Sequence, residues 1–253
     1  MPTANEIKKL IEFCETYSKK LIVELQGHQI QHKLNPILIT AFWLRIIENF
    51  EGIIAVAKKG RPVNAFILIR SMIETYFIMK KCITDDAFYK TYFNKFVKEK
   101  NSRLSRVGRI TLKTGFDISK EEAEELKRHF EGQIHNDANL GYSIKDLCVE
   151  PDDINLYEMV YAHCNLYTHC DAATLDVYIE TESDGSYKLV TNNKIHQDAT
   201  LVCLMSASLF LRCFELYSNF VGHKPINALE FVRAYNEIHD TLKKSVKSKA
   251  QQV

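Results

Sequence analysis

The chain has 253 residues, 46% of them hydrophobic and 26% charged, an ordinary globular composition with room for one large core or two small ones. A formal net charge of +1 excludes any whole-molecule electrostatic case for nucleic acid or membrane, so only local patches can make one. No apolar leader opens the sequence and no run reaches the ~18 uninterrupted apolar residues of a membrane span, which makes a cytoplasmic protein with no membrane partner the expectation.

Thr3 reads as the N-cap of a first helix to about Leu34, ended by Asn35-Pro36. A second helix is expected from about Ile37 to Lys59. Gly60-Arg61-Pro62 then stops one helix and starts the next, since Gly suits the position after a helix and Pro its first turn. From Val63 to Met79 the chain is apolar almost all round, interrupted after Asn64 only by Arg70, Ser71, Glu74 and Thr75. Such a helix, here Pro62 to Cys82, is expected to be buried on every face with its neighbours wrapped around it. Asp85 or Asp86 caps a helix to about Ile110 whose inner face is aromatic, with Phe88, Tyr89, Tyr92, Phe93 and Phe96. Ser119 to Glu122 form a capping box that opens a charged helix to about Ile134. Ser143 to Cys148 suggest one short helix, and Asp152 or Asp153 starts another to about Tyr167.

Between Leu175 and Val190 two β-rich runs flank Asp184-Gly185, a hairpin signal. A lone hairpin is not stable unaided, so it must lean on helices. Helices from about Asn193 to Val221 and from about Pro225 to Ser245 close the chain. These elements make an all-α, single-domain helical bundle of seven to eight helices over residues 1–245, with one small inserted β-hairpin at about 175–190 and a flexible basic tail at 246–253. Seven cysteines without a CxxC pair, most of them in apolar segments, read as reduced, buried thiols.

The first constellation that can carry chemistry is Arg70 and Glu74, four residues apart on one helix face, with Tyr161, Asn165 and His169 at steps of four on another. In a shared cleft His169 is the member that titrates near neutral pH, Arg70 a fixed cation suited to phosphate or carboxylate, and Glu74 its orienting partner. The same residues fit a buried network that fixes helix register and does no chemistry. A charge pair deep in a core costs several kcal/mol unless well paired, so either reading makes the pair informative.

The stretch Leu68-Ile-Arg-Ser-Met-Ile-Glu74, followed by Tyr161-x3-Asn165-x3-His169, resembles a bacterial family of uncharacterised helical proteins. Members of that family carry an L-x-R-S-hydrophobic-hydrophobic-E helix and a later Y-x3-S-x3-H helix. The likeness covers roughly Ile37 to Val221. Arg70, Glu74, Tyr161 and His169 carry over directly; Asn165 stands where that family more often has Ser, so a hydroxyl role does not. More distantly, the family is similar to the HEPN superfamily, many of whose members are metal-independent ribonucleases of toxin–antitoxin and antiviral systems. Their signature is Arg, four to six residues, then His, completed across a dimer. The resemblance therefore implies a possible endoribonuclease without a cofactor, acting on RNA, as a homodimer, with a defence-operon protein as a further candidate partner. Catalytic roles would fall to Arg70, Glu74, Tyr161, Asn165 and His169. The alternative is a non-catalytic interaction or sensing module.

Three weaker patterns remain. Arg128 with His135 and Arg233 with His239 repeat the Arg-to-His spacing, but the first lies in a charged surface helix and such matches arise by chance. Residues 95–113 hold seven cations, Lys95, Lys98, Lys100, Arg103, Arg106, Arg109 and Lys113, against the single anion Glu99. Lys95, Lys98, Arg103, Arg106, Arg109 and Lys113 are the candidate nucleic-acid contacts, since a basic helix face can follow phosphate backbones without reading sequence. A solvated outer face balanced by Glu121, Glu122, Glu124 and Glu125 is the competing account. Glu24, His28 and His32 recur at steps of four, but nothing completes a metal site. With no glycine-rich phosphate loop, GxSxG or HExxH, the usual nucleotide-fold enzymes, α/β-hydrolases and zinc proteases are excluded.

Overall fold

Helices α2 (Leu34–Lys58) and α3 (Pro62–Thr84) form the spine of the structure, a computed structural model that describes residues 4–26, 30–59, 62–107, 120–132, 134–168, 179–189, 195–223 and 226–250. Asn35 Nδ2 at the start of α2 donates to Cys82 O near the end of α3 at 3.0 Å, so the two run antiparallel. Helix α8 (Ile195–Phe220) packs on both. There the Phe50 ring stacks on Phe210 at 4.3 Å and Trp43 on Tyr217 at 5.3 Å. Helix α1 (Ala4–Glu24) covers α8 and pairs with α9 (Ile226–Ala250), while α4 (Phe88–Val107) carries α5 (Lys120–Glu131). The rod on the far side of α3 consists of α6 (Pro151–Asn155), a π-helical segment (Leu156–Tyr161) and α7 (Ala162–Thr168) without a break. Counted as one rod, it brings the helices to eight among the described residues. Phe50, Phe66, Phe77, Phe210, Phe214 and Phe231 are almost wholly buried in one core, as expected of an all-α bundle.

The expected hairpin is present and small. Strands β1 (Ile179–Thr181) and β2 (Tyr187–Leu189) pair antiparallel, Ile179 opposite Leu189, around Gly185. Gly185 at φ 83° and Gly222 at φ 70°, just past α8, occupy the left-handed region that glycine enters without steric cost.

Several boundaries differ from the sequence reading. Helix α1 ends at Glu24, ten residues before Leu34, its end tightened by Leu25 and Gln26 N–H groups bonding to Ile22 and Val23 carbonyls. Asn35-Pro36 marks a beginning: Pro36 sits in the first turn of α2, where a missing N–H costs nothing. The Glu24 carboxylate, 7% exposed, accepts from Asn227 N–H at 3.1 Å and Asn227 Nδ2 at 2.7 Å and lies 2.8 Å from His223 Nε2, clasping α1 to the start of α9. Phe96 is 42% exposed and so leaves the expected aromatic inner face of α4. Asp85 does cap the entry to that helix, accepting from Ala87 N–H at 3.1 Å. Helix α9 runs on to Ala250, past the expected end near Ser245, through Lys, Val and Ala without a breaker. Ser119 of the expected capping box and Cys170 lie outside the described residues.

Helix α3 is not buried on every face. Asn64 and Ile67 are exposed, and Ser71, Glu74 and Ile78 continue the half-open stripe at helical spacing. Among the described residues, the one helix long and apolar enough to cross a membrane is α8, over Ala199–Phe220 at mean hydropathy 1.6, and 56% of that window is packed inside the bundle.

The rod's upper end is tied to α3 by an unforeseen ion pair. Lys80 Nζ lies 2.8 Å from Asp153 and 2.7 Å from Glu150, and the Asp153 side chain is only 3% exposed. Removing one partner of so buried a pair strands the other, though Glu150 here remains for Lys80. Asp153→Ala is expected to cost about 2 kcal/mol, a fall of about 4–8 °C in a thermal melt, while Glu150→Ala changes it by less than half as much.

Candidate functional site

The side chains that the i, i+4 patterns singled out on two helices meet. Arg70 Nε donates to Glu74 Oε1 at 3.1 Å, as helical neighbours four apart can. Tyr161, the last residue of the π segment, donates its hydroxyl to the same Glu74 oxygen at 2.8 Å and receives Arg70 Nη2 at 3.4 Å. The Arg70 guanidinium also lies over the Tyr161 ring, 5.3 Å from its centroid, and Tyr157 stacks on that ring at 5.1 Å and 19°. The Tyr161 residue is 7% exposed, but the Arg70 and Glu74 side chains keep 22% and 35%. The pair therefore stands at the edge of the packed interior and not in its densest part.

The π segment explains how Tyr161 gets there. Asp153 and Tyr161 are eight residues apart, which in a regular α-helix turns them about 80° from one another. The wider π turn narrows that angle, and both residues are buried against α3. Burial and the bond to Glu74 raise the Tyr161 hydroxyl pKa above its ordinary value, only partly offset by Arg70, so the phenol stays a donor at neutral pH. Burial alone would lower the Arg70 pKa, but the bonds and charges of Tyr161 and Glu74 outweigh it, and the guanidinium is a fixed cation. Asn165 stands one turn further along α7 with its Oδ1 buried and unpartnered. His169 lies outside the described residues.

A family model described as a family of unknown function, DUF5677, matches residues 37–187, more than half of the chain. The chain belongs to that family. No curated protein and no solved structure matches it. The DUF5677 span runs from within α2 to the first residue of β2 and so includes Arg70, Glu74, Tyr161, Asn165 and His169; it stops before α8, short of the Val221 limit of the sequence reading.

The basic stripe within the DUF5677 span is only partly a surface. Lys95 turns inward: its Nζ donates to Tyr142 O at 3.1 Å and lies 4.0 Å from the centre of the Tyr142 ring, so it is not a free contact for a nucleic acid. Lys98 is exposed, and Lys100 lies over the Phe96 ring at 5.0 Å. Arg103 and Arg106 fall on the last turns of α4, and Arg109 and Lys113 lie outside the described residues. The two Arg–His spacings, weak matches in the sequence, face separate neighbours. Arg128 is exposed and bonds back to Glu124 O, while the His135 backbone is held by Asn94. Arg233 is exposed, and His239 stacks on Tyr235 at 5.9 Å. Of the possible metal set, Glu24 serves the α1–α9 clasp, His32 is exposed and His28 lies outside the described residues. No group of three metal-ligating side chains occurs among the described residues.

Because the Arg70–Glu74 pair is half-open, its loss is expected to cost less than a fully buried pair would: about 1–2 kcal/mol for Arg70→Met and about 1 kcal/mol for Tyr161→Phe, read as melting shifts of a few degrees. Tyr161 and Tyr76, the latter pushed by burial to about 12, have folded-state pKa values above the unfolded ones. Their contribution is complete below about pH 10 and is lost as pH rises further. The melting temperature of the wild type is thus expected to fall above pH 10, and less steeply in Tyr161→Phe.

Proposed function

We propose that this DUF5677 protein is a HEPN-like, cytoplasmic RNA-binding and RNA-cleaving protein of a bacterial defence or toxin system, working as a homodimer by metal-independent His/Arg chemistry. One observation carries the reading most: Arg70 is oriented by Glu74 and Tyr161 yet keeps 22% of its side chain in solvent, where a phosphate can reach it. In the proposed reaction the ribose 2′-oxygen attacks the adjacent phosphorus. An O–P bond forms, the bond to the 5′-oxygen breaks, and the products are a 2′,3′-cyclic phosphate and a free 5′-hydroxyl. His169 takes the proton from the 2′-hydroxyl, and water protonates the leaving 5′-oxygen. Arg70 holds the phosphate charge as it develops, Glu74 and Tyr161 hold Arg70, and Asn165 positions the sugar.

Incubation of the purified protein with total RNA tests this. The wild type is expected to cleave, with His169→Ala and Arg70→Met slower by about a hundredfold or more. Equal cleavage by wild type and His169→Ala, or cleavage by neither, overturns it. Binding adds a second measurement: Lys98→Gln lowers the slope of affinity against salt by about one, and Lys95→Gln, whose cation is already spent on Tyr142, leaves it unchanged.

One observation favours a second reading, a non-catalytic interaction or sensing module. Arg70, Glu74 and Tyr161 each bond to the other two, as the members of a purely structural network would. In that case Arg70→Met lowers the melting temperature as expected above, while the wild type cleaves RNA no more than His169→Ala does.

A further inference from the structure

The arrangement around Arg70 holds one planar group that the proposed chemistry does not use. Tyr157, on the π segment, is half-buried and stacks on Tyr161, whose ring also lies beneath the Arg70 guanidinium. The three planar groups are in contact in steps of 5.3 and 5.1 Å, and Tyr157 ends the run. Among the described residues it has no other ring partner and its hydroxyl has no hydrogen-bond partner. An internal packing tyrosine at this depth would ordinarily pair its hydroxyl within the protein; this one keeps an apolar face and a wet tip. Its ring is held in orientation by Tyr161, which is itself fixed by two hydrogen bonds. Tyr157 packs in part against the core and keeps the rest of its side chain exposed, and such an aromatic next to an oriented cation suits a ligand that carries a planar base and a phosphate on one unit.

We infer that Tyr157 is a stacking platform for an unpaired base of a single-stranded RNA whose adjoining phosphate lies on Arg70. This rests on the RNA reading above and makes it more specific: the substrate is single-stranded, bound without base-edge readout, because every base offers a π-face. A duplex keeps its bases stacked on one another and cannot offer one to Tyr157.

The test uses the full chain and a short single-stranded RNA containing 2-aminopurine. Wild type and Tyr157→Phe are expected to quench the probe on binding. Tyr157→Leu loses the quenching and about tenfold or more in affinity, with its salt slope unchanged, whereas Arg70→Met flattens that slope. Matched duplex binds at least tenfold more weakly. Tyr157→Trp gives an independent signal, since the native Trp43 is 3% exposed and shielded, and the added indole is expected to be quenched by single-stranded RNA. Should Tyr157→Leu fail to fold, the Tyr157→Trp signal decides alone. If the wild type binds RNA but Tyr157→Leu binds and quenches equally, or the Tyr157→Trp indole does not respond, the stacking inference falls and the RNA reading stands. If the wild type binds no RNA, both fall.

Discussion

The α6–π–α7 rod is held on α3 by two polar clasps, Lys80 with Asp153 and Arg70 with Glu74 and Tyr161, and the candidate site exists because both close at once. Apolar packing between two helices tolerates small slips, since methyl groups accept many neighbours. A carboxylate that is 3% exposed does not, because a slip of one residue would leave it buried without its ammonium. Asp153 therefore sets the register of the rod, and Tyr161 inherits its place from that register. The π segment reconciles the two demands within one helix. It aligns a buried acid and a buried phenol on the same neighbour, and such turns are frequent where a helix must present a functional group.

The spine of the fold is legible in the sequence because its signals are local. Pro62 opens α3, Gly222 follows α8, Asp85 caps the entry to α4 and Gly185 turns the hairpin; each acts within a few residues of its own position. The missed boundary between α1 and α2 has the opposite character. Nothing near Glu24 stops a helix as strongly as Asn35-Pro36 does by residue type, and the reason for ending there lies some two hundred residues away, in His223 and Asn227. The polarity of α3 was misjudged for a related reason. Ile67 and Ile78 look like core residues by composition, but α3, although part of the spine, leaves one stripe partly uncovered regardless of what stands there.

The candidate site divides along the same line. Arg70 with Glu74 and Tyr161 with Asn165 were visible as four-residue steps on two helices, and their convergence is found for the first three. Tyr157 was also four residues before Tyr161, but among twelve tyrosines in an aromatic-rich chain that step carries no distinguishing mark. Lys95 shows the limit of charge counting: it belongs to a run of cations in sequence, yet a carbonyl and a ring of the Tyr142 loop remove it from the surface. A patch of charge is a property of side-chain directions, which residue order alone does not report.

Half-exposure of the Arg70–Glu74 pair is what separates a site from a strut. A sealed ion pair is held because releasing it strands a charge in hydrocarbon, so it cannot exchange partners on the timescale of binding. An open pair carries no such penalty, and water already competes for it, which is why surface pairs contribute so little to stability. Glu74 Oε1 takes both the Arg70 and the Tyr161 bonds, leaving the remaining guanidinium N–H donors to solvent or to an incoming oxyanion. An anion that binds there need not break the pair. It replaces water on a cation whose direction Glu74 and Tyr161 have already fixed, so the orienting cost is met by the fold before the ligand arrives. That preorganisation gives Glu74 and Tyr161 a use beyond stability, and it explains why a chain would bring a tyrosine through a π-helical turn to touch an arginine that it leaves partly in water.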